Sequence, residues 1–554
     1  MVDLHPRRNL GTACSEVLVL LAAAFLYSFA FPGLISVNGF GFIGFFALIP
    51  VFAVIRNTSW KLTPVYGFLY GFMFYLFFNY WLKTFHPLAI LIVPIIKGGE
   101  MAVLFPALKA AQKLFKKYGY IVEGIIWVAY SYISQDWFAG YPYGTLGSAA
   151  YQYLPFIQIA EFTGVWGVTF MMVLPQTFLA FILFEKHRNR LDGIASYLKQ
   201  HLVFLIGYAV VLIAILVYGF ASISYWRSQE PEKIWRVATI QHSADTWKGG
   251  YTTYKNNFNN LRRMSLEALQ ADPDIILWSE TAFVPSVAWH ENYPSDPATS
   301  ALVEEFVAFG KSLPVPLVTG NPEGVIDDPS QPALLADGSW NRKDYNTVIF
   351  FEDGKIKNTY RKQHLVPFTE HFPYEKQLPL LYNLLLANDY NWWEKGYESV
   401  VFETEEGIKF STPICFEDVF GYLNADFVAN GADVIVNMTN DGWSKAVSAE
   451  MQHLGLAVFR SIENRRTTVR GTNSGMTCVI DVTGKIIDPM EPFKVGWHIY
   501  DVPVFTGESH GLTFYTRHID WFAFLAIYLS FLLLGLGALY HLIHFIRERR
   551  QNRT

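Results

Sequence analysis

The chain has 554 residues, of which 52% are hydrophobic and only 16% charged, where soluble proteins carry about 25% charged residues. That deficit, with a mean hydropathy of +0.21, argues for a membrane-embedded portion rather than an oversized core. The formal net charge of −5 leaves no basic footprint for nucleic acid.

Crossing a bilayer takes about 20 apolar residues. In chain order such stretches lie near 14–32, 39–55, 64–82, 88–106, 119–138, 158–184 and 201–224, and a last one near 519–546. The fold class they predict is a multi-pass α-helical membrane domain of eight transmembrane helices joined to a polar α/β domain. The domains read as 1–228 with seven helices, a polar block 229–508, and 509–554 with the final helix and a basic tail.

The loops set the orientation. Arg7 and Arg8, Arg56 and Lys61, Lys109, Lys113, Lys116 and Lys117, Lys186, Arg188, Arg190 and Lys199, and Arg547, Arg549, Arg550 and Arg553 all fall on one side. Basic loops stay cytoplasmic, so both termini should be inside and the polar block outside. Some apolar stretches carry charge. Lys97 and Glu100, three apart, share a helix face and can pair; Glu123, Asp136 and Glu161 read as span-end residues solvated at the interface.

The polar block alternates strands and helices. Trp235–Ile240, Asp274–Trp278, Val315–Thr319 and Asp433–Asn437 read as strands, and Tyr254–Gln270 as an amphipathic helix. Asp353-Gly354 is a hairpin signal. Three segments carry chemistry just after such strands: Glu280 in Trp278-Ser279-Glu280-Thr281-Ala282, Lys362 in Tyr360-Arg361-Lys362-Gln363-His364-Leu365-Val366-Pro367-Phe368, and Cys415 in Pro413-Ile414-Cys415-Phe416-Glu417-Asp418.

The other cysteines, Cys14 and Cys478, sit in apolar runs and read as packing residues. No pair has metal-ligand spacing, so no metal or cofactor is expected. A neutral thiol is a weak nucleophile that needs a base or a nearby cation. A poorly solvated Glu280 can be that base. Lys362, with a backbone amide after the nucleophile, can hold the oxygen of a tetrahedral intermediate.

Glu-Lys-Cys in this order resembles the triad of the nitrilase superfamily. The strings Lys362 to Glu370, Cys415-Phe416-Glu417-Asp418, Asn440-Asp441-Gly442-Trp443, Arg460 to Arg466 and Arg470 to Gly475, with Gly140-Tyr141-Pro142 and Ile157 to Gly167 in the apolar half, are similar to those of its membrane-embedded branch, the bacterial apolipoprotein N-acyltransferases. The resemblance implies an αββα nitrilase-like domain on the periplasmic face of the inner membrane. It implies that Cys415 takes an acyl chain from a phospholipid as a thioester and passes it to the N-terminal amine of a diacylglyceryl-cysteine on a lipoprotein. Glu280 would be the base and Lys362 the oxyanion stabiliser. Glu370 and Glu417 would orient Lys362 and shuttle protons, and Trp247 and Trp443 would meet substrate. Phe416 stands where the family has tyrosine, and Thr369 where it has glycine. Aromatics from Phe138 to Tyr153 would shape a lipid entry or an interfacial belt. Two rival readings are a membrane-anchored amidase acting on a small amide, and a transporter or receptor whose outer domain only binds ligand.

Overall fold

A computed structural model of the chain describes residues 10–85, 89–137, 140–188, 193–294, 296–353, 355–386 and 392–551. Arg7, Arg8, Phe138, Arg190, Gly354 and Arg553 lie outside the described residues. The chain divides into two compact units, Met1–Tyr225 with Asp520–Thr554, and Trp226–Ile519.

The first unit is helical. Among the described residues, five stretches are long and apolar enough to cross a membrane: Gly11–Ser28, Ala89–Asp136, Ala160–Leu183, Leu202–Ser228 and Trp521–Gln551. Eight crossings were expected. The difference has two sources. Ala89–Asp136 is 48 residues long and holds two helices, Ala89–Phe115 and Gly119–Asp136, with a 3-10 turn Lys116–Tyr118 between them. Gly41–Asn57 and Thr63–Phe78 are apolar but shorter; at 1.5 Å per residue the 9-residue helix Ile49–Asn57 rises only about 14 Å. Leu202–Ser228 presents Val203, Val217 and Phe220 outward, as an apolar helix in lipid would.

Several charges inside this unit are paired. Lys97 Nζ lies 3.2 Å from Glu100 Oε2 and 2.6 Å from Ser134 Oγ of the neighbouring helix, and Ser134 Oγ also donates to Glu100 at 2.6 Å. Glu123 is fully buried and bonded by Arg56 and Gln112. It is an internal ion-pair partner, not the interfacial acid expected, because the Arg56 end of Ile49–Asn57 packs beside its helix. Glu161 accepts from Tyr218 at 2.5 Å; Asp136 is exposed. Tyr141 and Tyr151 turn inward to Asn79 Oδ1 (2.8 Å) and the Asn38 carbonyl (3.2 Å). Cys14 is exposed on its helix rather than packed.

The second unit contains two six-stranded sheets. One runs Gly496–Val504, Lys233–Gln241, Ile275–Leu277, Leu317–Gly320, Thr347–Glu352, Lys355–Arg361; the other runs Ile486–Ile487, Cys478–Ile480, Thr467–Thr472, Val434–Thr439, Lys409–Ser411, Val401–Glu403. In each sheet three consecutive inner strands run parallel to one another and every other pairing is antiparallel. Parallel strands are buried on both faces, which is why Ile275–Leu277 and Val434–Thr439 read as unbroken buried runs. The sheets meet through Trp235 and Phe350 on one and Phe410 and Phe402 on the other, at ring separations of 5.3–5.6 Å. Helices Tyr251–Ala268 and Pro297–Ser312 cover the first sheet through Phe258, Leu261, Leu302 and Phe306. Helices Gly421–Ala429 and Val447–Asn464 accompany the second. The layers are therefore αββα.

Gly67 and Gly320 are among the glycines needed for close approach. A Cβ on Gly67 would stand 2.2 Å from the Met101 carbonyl oxygen, so the crossing of Thr63–Phe78 with Ala89–Phe115 requires glycine there. A Cβ on Gly320 would stand 2.2 Å from the Thr281 amide nitrogen and 2.7 Å from Glu280 Cα. Gly320→Ala should destabilise the protein by about 1–3 kcal/mol and displace Glu280. A fall in the thermal unfolding midpoint together with lost activity in the purified protein would show it; an unchanged midpoint would refute it.

Candidate active site

Glu280 follows the strand Ile275–Leu277 through Trp278 and Ser279. That exit is pinned to the neighbouring strand by Trp278 N–H to the Val318 carbonyl (2.9 Å) and Gly320 N–H to the Ser279 carbonyl (3.1 Å). Thr281 then takes a φ of 46°, which turns the chain sharply just after Glu280. The carboxyl is buried. Oε1 accepts from Asn346 Nδ2 (2.8 Å) and Lys362 Nζ (3.4 Å), and Oε2 from the Asn440 amide (3.0 Å). Burial raises its pKa above the usual carboxylate range; the Lys362 charge opposes this and Glu370 adds to it.

Lys362 ends the strand Lys355–Arg361, its amide held by the Asn346 carbonyl at 2.9 Å. Its ammonium is buried and lies 2.8 Å from Glu370 Oε1 as well as 3.4 Å from Glu280. Burial alone would depress it, but the Glu370 and Glu280 carboxylates outweigh burial and hold its pKa above the ordinary value. Glu370 is fixed by the Val366 amide (2.8 Å) and by Asn346 Nδ2 (3.3 Å). The turn before it is carried by Phe368 at φ 61°, and Thr369 is exposed with no positive φ. A side chain therefore fits where glycine was expected.

Cys415 follows Lys409–Ser411 through Thr412-Pro413-Ile414 and opens a 3-10 turn, Cys415–Val419. Its φ of 49° is unusual for a residue with a Cβ and of the kind that clusters at active sites. The thiol is 9% exposed. Burial, then the Glu280 charge, push its pKa well above the ordinary value, while Lys362 pulls it down. Asn437 Nδ2 braces the turn at the Pro413 and Cys415 carbonyls (both 3.1 Å). Phe416 is buried against Phe420, ring centroids 5.0 Å apart, and brings no hydroxyl.

Glu417 bonds to backbone amides and a phenol rather than directly to the lysine ammonium. It is fully buried and accepts from the Ile414, Gln363 and His364 amides (2.7, 2.6 and 2.9 Å) and from the Tyr360 hydroxyl (2.9 Å). It thereby staples the backbone after Lys362 to the backbone before Cys415. Burial pushes its pKa up to about 7 against the pull of those donors and of Lys362.

Glu280, Lys362, Glu370 and Cys415 thus share one electrostatic site. Trp247 is half-exposed on the loop after Lys233–Gln241, and Trp443 is half-buried in the turn Asp441–Ser444. Their loops meet: a Cβ on Gly442 would lie 3.1 Å from Thr246 Oγ1. Sequence reasoning missed Asn346, which bridges Glu280 and Glu370, because an isolated asparagine between two strands carries no local signal. It quoted Asn440 without seeing that its amide binds Glu280.

The family model for the apolipoprotein N-acyltransferase N-terminal domain matches residues 23–177, and the carbon-nitrogen hydrolase model matches residues 236–504. Apolipoprotein N-acyltransferase 1 of Treponema denticola is 37% identical over 518 residues, covering 92% of this chain and 94% of its own. Its namesake in Treponema pallidum is 34% identical over 544 residues, covering 95% and 96%. Among solved structures, an amidase from Nesterenkonia sp. superposes with a TM-score of 0.35 at 17% identity, covering 50% of this chain and 92% of that one.

Every group facing Glu417 is a donor. In Glu417→Gln one acceptor oxygen becomes an NH2, which leaves buried donors unmatched at about 1–3 kcal/mol each. We expect a lower unfolding midpoint and slower modification of Cys415, read by thermal denaturation and thiol alkylation. Wild-type values for both would contradict the stapling role.

Proposed function

The chain belongs to the apolipoprotein N-acyltransferase family, and we propose that Glu280, Lys362 and Cys415 carry out the transfer. It is an acyltransferase that N-acylates lipoproteins with an acyl chain from a lipid. The match of residues 23–177 to the family's own N-terminal model favours this over an anchored amidase and over a transporter or receptor.

The donor is a membrane phospholipid and the acceptor is the free amine of an S-diacylglyceryl-cysteine. As Cys415 Sγ attacks the ester carbonyl, its proton passes to Glu280. The developing oxyanion is held by Lys362 and the Phe416 amide. Collapse breaks the ester C–O bond, Glu280 returns the proton to the departing alkoxide, and lysophospholipid leaves. The amine then attacks the thioester, gives a proton to Glu280, and expels sulfur, which recovers that proton. Thiol and acid are both shifted upward, and such a pair exchanges one proton more readily than a strong acid and a weak one. Glu370 positions Lys362, Glu417 holds the nucleophile turn, and Trp247 and Trp443 meet substrate.

Both substrates stay in the bilayer, since extraction costs about 0.8 kcal/mol per methylene. The proposed arrangement is eight crossings in the inner membrane with both termini cytoplasmic. Residues 229–508 form the periplasmic catalytic domain and 509–554 the last helix and tail. The basic loops support this orientation.

The observation that carries the catalytic reading is the buried contact of Lys362 with Glu280 at 3.4 Å beside a thiol that feels both charges. Cys415→Ala should fold and insert but lose transfer by about 10⁴-fold or more, assayed with phospholipid donor and diacylated lipopeptide. Wild-type protein given donor alone should carry an acyl mass on the peptide containing Cys415. Transfer persisting in Cys415→Ala, or an acyl group found elsewhere, would overturn the reading.

A further inference from the structure

Behind the nucleophile turn lies a buried charge cluster that the mechanism above does not use. His453, in the second turn of Val447–Asn464, is 2% exposed. Its Nε2 is 2.7 Å from Asp418 Oδ1 and its Nδ1 is 2.9 Å from Asp441 Oδ1. Arg470, from the strand Thr467–Thr472, closes the cluster, pairing with Asp418 Oδ2 and lying 3.5 Å from Asp441 Oδ2.

A carboxylate only accepts hydrogen bonds, whereas a neutral imidazole has one donor and one acceptor nitrogen. Here both ring nitrogens face carboxylate oxygens, so both carry protons and the ring is a cation. The charges then balance, two carboxylates against two cations. The other ionisable groups nearby fit that count. Glu450, on the same helix, is fully buried and neither of its oxygens has a hydrogen-bond partner among the described residues; burial, then the Asp441 charge, push its pKa up to about 10, which keeps it neutral. Burial pushes the thiol of Cys478, behind Arg470, up to about 12, and Cys415 is also neutral at rest. Burial would lower His453, but Asp418 and Asp441 outweigh it and raise its pKa to about 9. Burial would raise Asp441, but His453 and Arg470 outweigh it and hold it below the usual range.

The two acids belong to the two halves of the site. Asp418 lies in the same 3-10 turn as Cys415, three residues on. Asp441 follows Asn440, whose amide holds Glu280 Oε2 at 3.0 Å. We infer that His453 is a positioning residue for the acyl transfer: a lasting imidazolium that ties the nucleophile turn to the anchor of the base and offsets the negative charge of Asp441 near the thiol. The inference rests on the roles proposed for Cys415 and Glu280.

The free imidazole titrates near pH 6.5, whereas the pKa of His453 is raised to about 9, so the cation persists through neutral pH and is lost as pH rises through about 9, while its stabilising contribution is complete only below about 6.5. The test uses full-length protein in detergent. Acyl-enzyme formation from phospholipid is followed against pH, and alkylation of Cys415 near neutral pH is followed by mass spectrometry of its peptide. Wild-type acylation should fall by about tenfold as pH passes about 9. His453→Gln, lacking the cation, should alkylate and acylate about tenfold more slowly, a shift of about one pKa unit in the thiol, with donor KM unchanged. In Asp418→Asn, nearly isosteric and short of one carboxylate, the alkaline limb should move down toward 7. A purely structural part for His453 would lower the unfolding midpoint without moving either profile.

A folded His453→Gln with wild-type alkylation, or an Asp418→Asn whose alkaline limb stays near 9, overturns the inference. If His453→Gln does not fold, Asp418→Asn decides alone. Alkylation needs no acyl donor, so failure here is separable from failure of the catalytic reading, which Cys415→Ala addresses.

Discussion

Lys362 carries a positive charge where water does not reach it, and the site is built around that fact. An isolated buried ammonium is expensive enough that it normally loses its proton. Here two carboxylates face it from different parts of the chain, Glu280 after one strand and Glu370 beyond a turn. Asn346 holds both acids at the correct spacing by donating to each. Removing either acid leaves a cation short of one partner; removing the lysine leaves two buried acids in mutual repulsion. The spacing of base and cation is therefore set by mutual necessity, not by either loop alone.

The same constraint explains why backbone amides take part in stapling the site. Glu280 and Lys362 come from one sheet and Cys415 from the other. Aromatic packing between the sheets brings these edges close but cannot fix them to a fraction of an ångström. Glu417 supplies that precision by gathering amides on both sides, and the amide of Asn440, at the end of a strand in the second sheet, does the same for Glu280. These bonds hold Cys415 in a left-handed conformation it would not adopt freely.

Much of this was legible in the sequence, for identifiable reasons. Strand-end placement of Glu280 and Cys415 followed from apolar runs that stop at polar turns, which parallel central strands give plainly, whereas Lys362 ends a polar edge strand and was placed by the hairpin signal before it. Long apolar helices such as Leu202–Ser228 announce themselves by composition. What escaped was non-local. Glu123 looked like an interfacial acid because its partners Arg56 and Gln112 lie elsewhere in the chain. The bonds from Glu417 to the Ile414, Gln363 and His364 amides were not legible, because a carboxylate that binds backbone leaves little trace in side-chain identity. Short elements were harder to read: Gly41–Asn57 has the apolarity of a span, but its α-helix starts only at Ile49, and composition does not reveal a break.

Val447–Asn464 shows how far burial can reverse the usual reading of a helix. A polar face ordinarily means solvent, yet nearly every residue of this helix is buried, including Glu450, His453, Arg460 and Glu463. Each polar group must then be paired, neutral or both. Arg460 takes Glu463 at 2.9 Å and the Val419 carbonyl at 3.0 Å, His453 takes two aspartates, and Glu450 stays protonated. Two of these contacts, from Arg460 and His453, end on the five-residue turn that Cys415 opens. The polar residues that look wasted inside this helix are thus spent on holding the nucleophile turn. A core of leucines could fill the same volume but could not grip a carbonyl at Val419 or a carboxylate at Asp418.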